Sequence, residues 1–332
     1  AMPSVVVHSF MQEASVMLGP DTWLGLALRV VGSLAAMGIV AAWLAVSRVN
    51  AAYAKMKSRR SLPFDIDAYV QDKEPSLQSR FKIVVMNSLS VGSHMPSQQA
   101  YPLAEKHSTH VQGMRVTLHA GLPSTQGLQP CAASGAQSVV VATIRMGFGH
   151  HRIAYAAASW GVASGRTTYF HDLLAIESPE AQLIKDTDAL YSKGSRLASE
   201  MGGAVERFWG SLTKSGDGDS LRITYEMAEH LKPLLLGLPK DTPIIATHCL
   251  AGLLAVACGF TRVINLVIDN HAQWFIVVPG AMNLVQGPSN YHSLLRMGVP
   301  ASQLRLAGHW IPKDLVENIP PDCEARRTRA RV

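Results

Sequence analysis

Charge is what this chain has least of. Only 16% of its 332 residues are Asp, Glu, Lys or Arg, while 48% are hydrophobic, a balance shifted to the apolar side of a water-soluble protein. Part of the chain is therefore expected to meet lipid or a broad partner surface. Cysteine is scarce as well: Cys131, Cys249, Cys258 and Cys323 show no Cys-x-x-Cys spacing, which excludes a disulfide framework and suits reduced thiols. Aromatic residues make up 7% and no basic run is interleaved with them, so the formal net charge of +6 carries no nucleic-acid module. Histidine is plentiful at 13, yet no His-x-x-x-His or His-Glu-x-x-His pair accompanies carboxylates on a helix. A metal centre is not expected. No internal repeat stands out.

Long apolar runs are the exception to this sparseness. Residues 23–46 read WLGLALRVVGSLAAMGIVAAWLAV, with Arg29 the single charge. At 1.5 Å rise per residue the run is long enough to cross a bilayer. Trp23 and Trp43 stand near its ends as interface anchors, and Gly32, Ser33 and Gly38 offer a small face for a partner helix. Arg48, Lys55, Lys57, Arg59 and Arg60 follow it, whereas only Glu13 and Asp21 precede it. The positive-inside rule then places the rest of the chain in the cytosol, or in the equivalent stromal or matrix space. The alternative is a cleaved signal peptide, disfavoured because no basic residue precedes a run this long.

The organising stretch lies at 138–161, SVVVATIRMGFGHHRIAYAAASWG. Its β-branched run, its Gly147-Phe148-Gly149 turn and its alanine-rich continuation predict a buried strand, a tight loop and a helix. A Gly-x-Gly turn of this kind can simply reverse the chain. It also lets a ligand approach the backbone and leaves helix N–H groups open to an anion. His150, His151 and Arg152 sit in the first helical turn, where the helix dipole disfavours cations, so their placement calls for a reason.

Further along, strands are predicted at 166–170, 242–247, 262–268, 274–278, 281–286 and 303–307. Helices are predicted over 179–208 with a break at Gly202-Gly203, over 221–236, from Cys249 through Cys258, and over 289–297. Residues 214–220 read as a loop. Alternation of this kind predicts a Rossmann-like, doubly wound parallel α/β sheet with ligands at the carboxyl ends of its strands. Before it, 61–137 reads as irregular, with one strand at 81–86 and a long connection over 95–138. The expected organisation is thus an N-terminal segment at 1–22, a transmembrane helix at 23–47, a basic juxtamembrane stretch and connection at 48–137, the α/β domain at 138–317 and a basic tail at 318–332.

Three loops at predicted carboxyl ends carry polar groups: 147–152, Thr247 with His248, and 269–274. A histidine beside a carboxylate is the minimum equipment for activating a hydroxyl, which makes His150 and Asp269 a candidate pair. The alternative is that each caps or fills its own loop.

These residues resemble the N-terminal domain of monogalactosyldiacylglycerol synthases and processive diacylglycerol glucosyltransferases, relatives of the MurG-type enzymes with the two-domain GT-B fold. The resemblance rests on Gly147-Phe148-Gly149-His150, on Asp172-Leu173-Leu174, on Asp269-Asn270-His271-Ala272-Gln273-Trp274 and on the run 286–312. It implies a single GT-B half that docks on a membrane and receives a lipid acceptor. His150 would be the base with Asp269 as its partner. Gly147, Phe148, Gly149, His151, Arg152, His248, His271 and Trp274 would line the acceptor cleft. Two local departures accompany it: Phe148 stands where a third glycine is usual, and Gly308-His309-Trp310-Ile311-Pro312 replaces a short Gly-x-Pro turn.

The family's nucleotide-sugar site belongs to a second α/β domain, for which the residues beyond about 315 are too few. The expectation is a membrane-anchored acceptor half of a split glycolipid glycosyltransferase, inactive alone, with the nucleotide-sugar on a partner subunit and no cofactor in this chain. The alternative is a glycosyltransferase-like accessory subunit without activity, contacting other subunits through the membrane helix and 61–137.

Overall fold

The computed structural model describes residues 23–61, 65–70, 74–146, 148–213 and 216–317. The chain divides into two compact units, one ending at Lys55 and the other beginning at Met56. A helix over Trp23–Lys57, α1, holds the apolar run. Among the described residues it is the one helix long and apolar enough to cross a membrane. Val31, Ile39 and Trp43 on it are exposed, whereas the Trp23 side chain lies outside the description.

The second unit is built on a nine-stranded sheet of order β3-β1-β2-β5-β4-β6-β7-β8-β9. Its strands are β1 Leu103–His107, β2 Met114–His119, β3 Gln129–Pro130, β4 Ser138–Thr143, β5 Thr167–Asp172, β6 Ile244–Ala246, β7 Val263–Val267, β8 Met282–Val285 and β9 Leu304–Leu306. From β2 to β9 every pairing is parallel; β1 joins β2 and β3 antiparallel. The helices are α2 Ile66–Tyr69, α3 Leu77–Val91, α4 Phe148–Ala163, α5 Pro179–Met201, α6 Gly203–Thr213, α7 Gly218–His230, α8 Pro233–Leu236, α9 Cys249–Ala257, α10 Pro288–Arg296 and α11 Lys313–Glu317. This is a mostly parallel, Rossmann-like α/β sheet flanked by helices.

The strand and the helix of the 138–161 stretch form as its sequence predicts, and alternation along β4 explains the two layers around it. Val140 and Ala142 pack into the main core with α7, α8 and α9, while Val141 packs with Ala154 and Ala158 of α4 on the opposite face. Glycine permits close approach at two contacts. A Cβ at Gly161 of α4 would stand 2.7 Å from Thr168 Oγ1, and one at Gly252 of α9 would stand 2.7 Å from Val278 Cγ2.

Four expectations require correction. Residues 81–86 lie inside helix α3, whose Ser76 cap accepts from Ser79 N–H and whose Ile83 and Val91 are buried at helical spacing. A short apolar run does not by itself separate strand from helix. Residues 95–138, expected as an irregular connection, supply β1, β2 and β3, so the α/β unit begins well before 138. Residues 274–278 form a 3-10 turn at Trp274–Ile276 in place of a strand. The loop expected over 214–220 is cut short because Asp217 caps α7 by accepting from Ser220 N–H.

Candidate functional site

Strand order reverses between β4 and β6: the chain leaves β4 through α4 to β5 on one side, then returns across the sheet to β6 on the other. Connections on the two sides diverge there, and in open α/β sheets ligands bind at the carboxyl ends beside such a point. Two helices, α4 and α9, start at this point and turn the positive ends of their dipoles toward it.

Thr143 ends β4 and Thr247 follows β6. Both are buried, and the Thr247 hydroxyl donates to Thr143 Oγ1 at 2.9 Å. His150 is in the first turn of α4, and its Nδ1–H donates to the Thr247 carbonyl at 2.5 Å. In the neutral ring that bond fixes the tautomer and leaves the lone pair on Nε2. His248 caps α9, its Nδ1 accepting from Leu250 N–H at 3.1 Å, which puts its proton on Nε2. The two rings pack with centroids 4.6 Å apart. Burial first, and His150 second, push His248 down to about 3. The switch point therefore holds two imidazoles side by side, with His248 neutral across the physiological range.

A second group flanks the other side of α4. Asp172 ends β5, accepts from Leu174 N–H at 3.1 Å and Arg145 N–H at 3.3 Å, and stands 3.8 Å from His151 Nε2. His151 also meets Tyr155 and Phe170 edge-on. Burial lowers its basicity most, with Arg145 and His110 adding to that and Asp172 opposing.

The remaining residues expected at the site scatter. Gly147 lies outside the described residues, and of Phe148 only the backbone is described, opening α4. A side chain at Gly149 would meet nothing within 4 Å, so the space beside the helix start is open. Arg152 is exposed. Asp269 and His271 are exposed beyond β7; the Asp269 carbonyl accepts from Asn290 Nδ2 at 2.9 Å. The carboxylate is near enough to join burial in pushing the Cys249 thiol up to about 12.

Among the described residues His150 and Asp269 form no hydrogen bond. The ring's partner is a main-chain carbonyl, which orients it but carries no full charge to steady an imidazolium. Trp274 is not on a cleft wall: it is buried in the core, edge-on to Tyr69 at 6.0 Å. Thr143 and Arg145 escaped the sequence reading. Their signal was position, at and just past the end of the central strand.

Residues 79–296 match a family model described as a domain of unknown function (DUF6937), more than half of the chain. The chain belongs to this family. Residues 299–332 match a second model, a domain of unknown function (DUF6938). The two models meet between α10 and β9, although β9 pairs with β8 in the same sheet. No curated protein and no solved structure matches the chain.

Proposed function

We propose that this chain is the membrane-anchored acceptor half of a split glycolipid glycosyltransferase, with its α/β domain on the cytosolic, stromal or matrix side and the nucleotide-sugar on a partner subunit. His150 carries this reading. Its Nδ1–H is held by the Thr247 carbonyl at 2.5 Å at the strand switch point, leaving Nε2 to take a proton. The acceptor hydroxyl gives its proton to Nε2, its oxygen bonds to the anomeric carbon of the sugar, and the bond from that carbon to the diphosphate breaks. The diphosphate leaves with the bonding pair. The neutral His248 donates a hydrogen bond from Nε2–H toward the acceptor and aligns it.

The test is sugar transfer to membrane lipid by the chain purified with its partners in mild detergent. His150→Ala is expected to lower transfer about 100-fold or more, the usual weight of a general base, and a nucleotide-binding subunit is expected to co-purify. Absence of such a subunit, together with unchanged membrane glycolipid in His150→Ala cells, overturns the reading. A second reading, an accessory subunit without activity, is favoured by one observation: a carbonyl and not a carboxylate backs His150.

A further inference from the structure

Right-handed crossovers dictate where helices fall on a parallel sheet. The connections from β5 to β6, β6 to β7, β7 to β8 and β8 to β9 all advance the same way, and their buried residues, from Leu234 and Leu254 to Val278 and Leu294, share the main core. Only the β4–α4–β5 unit steps the other way, so α4 covers β4, β5 and β2 on the second face. Over β6, β7 and β8 that second face has no helix among the described residues. Parallel sheets are ordinarily covered on both faces.

What lies there is a groove of about 440 Å³. Its floor is Ile245, Ile264, Leu266 and Leu284, one or two side chains from each of the three strands. Its walls are Trp160 of α4 and Trp310, on a strap that returns from β9 to α4. The strap is tied down where Trp160 Nε1–H donates to the Ile311 carbonyl at 2.8 Å and Lys313 N–H donates to Ser159 Oγ at 3.0 Å. The charged residues on its rim are Arg166 and Arg262, and no carboxylate lines it among the described residues.

The dimensions suit a helix. Three strands about 4.8 Å apart make a floor about 10 Å across, one helix wide, and a five-residue strand of about 16 Å matches three helical turns. We infer that this groove docks an amphipathic α-helix of another polypeptide. Its apolar stripe lies on Ile264 and its neighbours, and Asp or Glu at one end faces Arg262. The missing layer of the sheet is then completed in trans. This inference is independent of any chemistry at His150.

The test places a photo-crosslinking phenylalanine analogue at position 264 of the full chain in the membranes of the expressing cell. The adduct is mapped by mass spectrometry, with position 185 on exposed α5 as the control. A polypeptide adduct is expected on one helical, carboxylate-bearing segment, at least tenfold above the control. Its yield should fall about tenfold on Arg262→Glu and stay unchanged on Lys185→Glu or His150→Ala. Should Arg262→Glu change the melting curve, Arg262→Gln replaces it, with a smaller loss expected. An adduct to lipid, to a second copy of this chain, or to a segment indifferent to the charge at 262 overturns the inference. So does a yield no greater than at position 185.

Discussion

The two faces of the sheet are finished to different standards. On the first, α7, α8 and α9 close over β4, β6 and β7, and Leu253, Leu254 and Ala255 are fully buried. Even the β7–β8 connection, which has no helix, is locked there by a buried amide ladder: Asn265 Nδ2–H donates to the Ile276 carbonyl and to Asn283 Oδ1, both at 2.9 Å. On the second face α4 seals β4 and β5, then helical cover stops among the described residues, and Ile245, Ile264 and Leu284 stay half-exposed there. Buried amides hold a connection in place; they do not shield the far side of the sheet. A face closed from within contributes to stability, whereas one left open is free for association.

Truncation is the most direct way to break this comparison. Leu254→Ala on the closed face is expected to cost about 2–5 kcal/mol, as a large-to-small change in a rigid core does, and Ile264→Ala on the open face less than about 1 kcal/mol. Denaturant unfolding of the full chain in detergent measures both, and equal losses would erase the distinction.

The covered half of the second face should respond to overpacking. Gly161→Ala raises helix propensity but sets a Cβ 2.7 Å from Thr168 Oγ1, so the net expectation is a loss of about 1–3 kcal/mol. A gain in melting temperature would show that α4 sits more loosely than described.

The smallest effect comes from pH. His171 and His230 are buried toward the first face, and burial pushes each down to about 4 from 6.5. The unfolded rings take up protons below 6.5 while the folded ones do not. Their contribution is therefore complete above that pH and declines as pH falls toward 4. Between pH 7 and pH 6 the expected loss is roughly 0.7 kcal/mol per ring, and a flat profile over that unit would place both rings nearer solvent.

Much of the scaffold was legible in advance because it is written locally. The β-branched run at 139–141, the alanine-rich helix that follows it and the break at Gly202-Gly203 each act within a few residues of themselves. The early strands were not legible. β3 is the edge strand and covers β1 only at Ala104 and Glu105, and exposed positions of the two, such as Lys106, His107 and Gln129, show no apolar alternation. Their pairing is enforced by β2 and by Glu105, which accepts from Ala132 N–H at 3.0 Å and pairs with Arg115. Residues 81–86 carried a cap signal at Ser76, yet packing against α7 decided them for helix.

The sequence by itself determined a long apolar helix, an alternating α/β order and the turn that puts His150 at the end of the central strand, because periodicity, caps and turn chemistry are short-range. Only the tertiary structure decided that His150 leans on the Thr247 carbonyl and not on Asp269, and that Trp274 belongs to the core. It alone left one face of β6, β7 and β8 without a helix among the described residues. Those outcomes depend on which strands become neighbours and on the hand of each crossover, and no local pattern of residues specifies either.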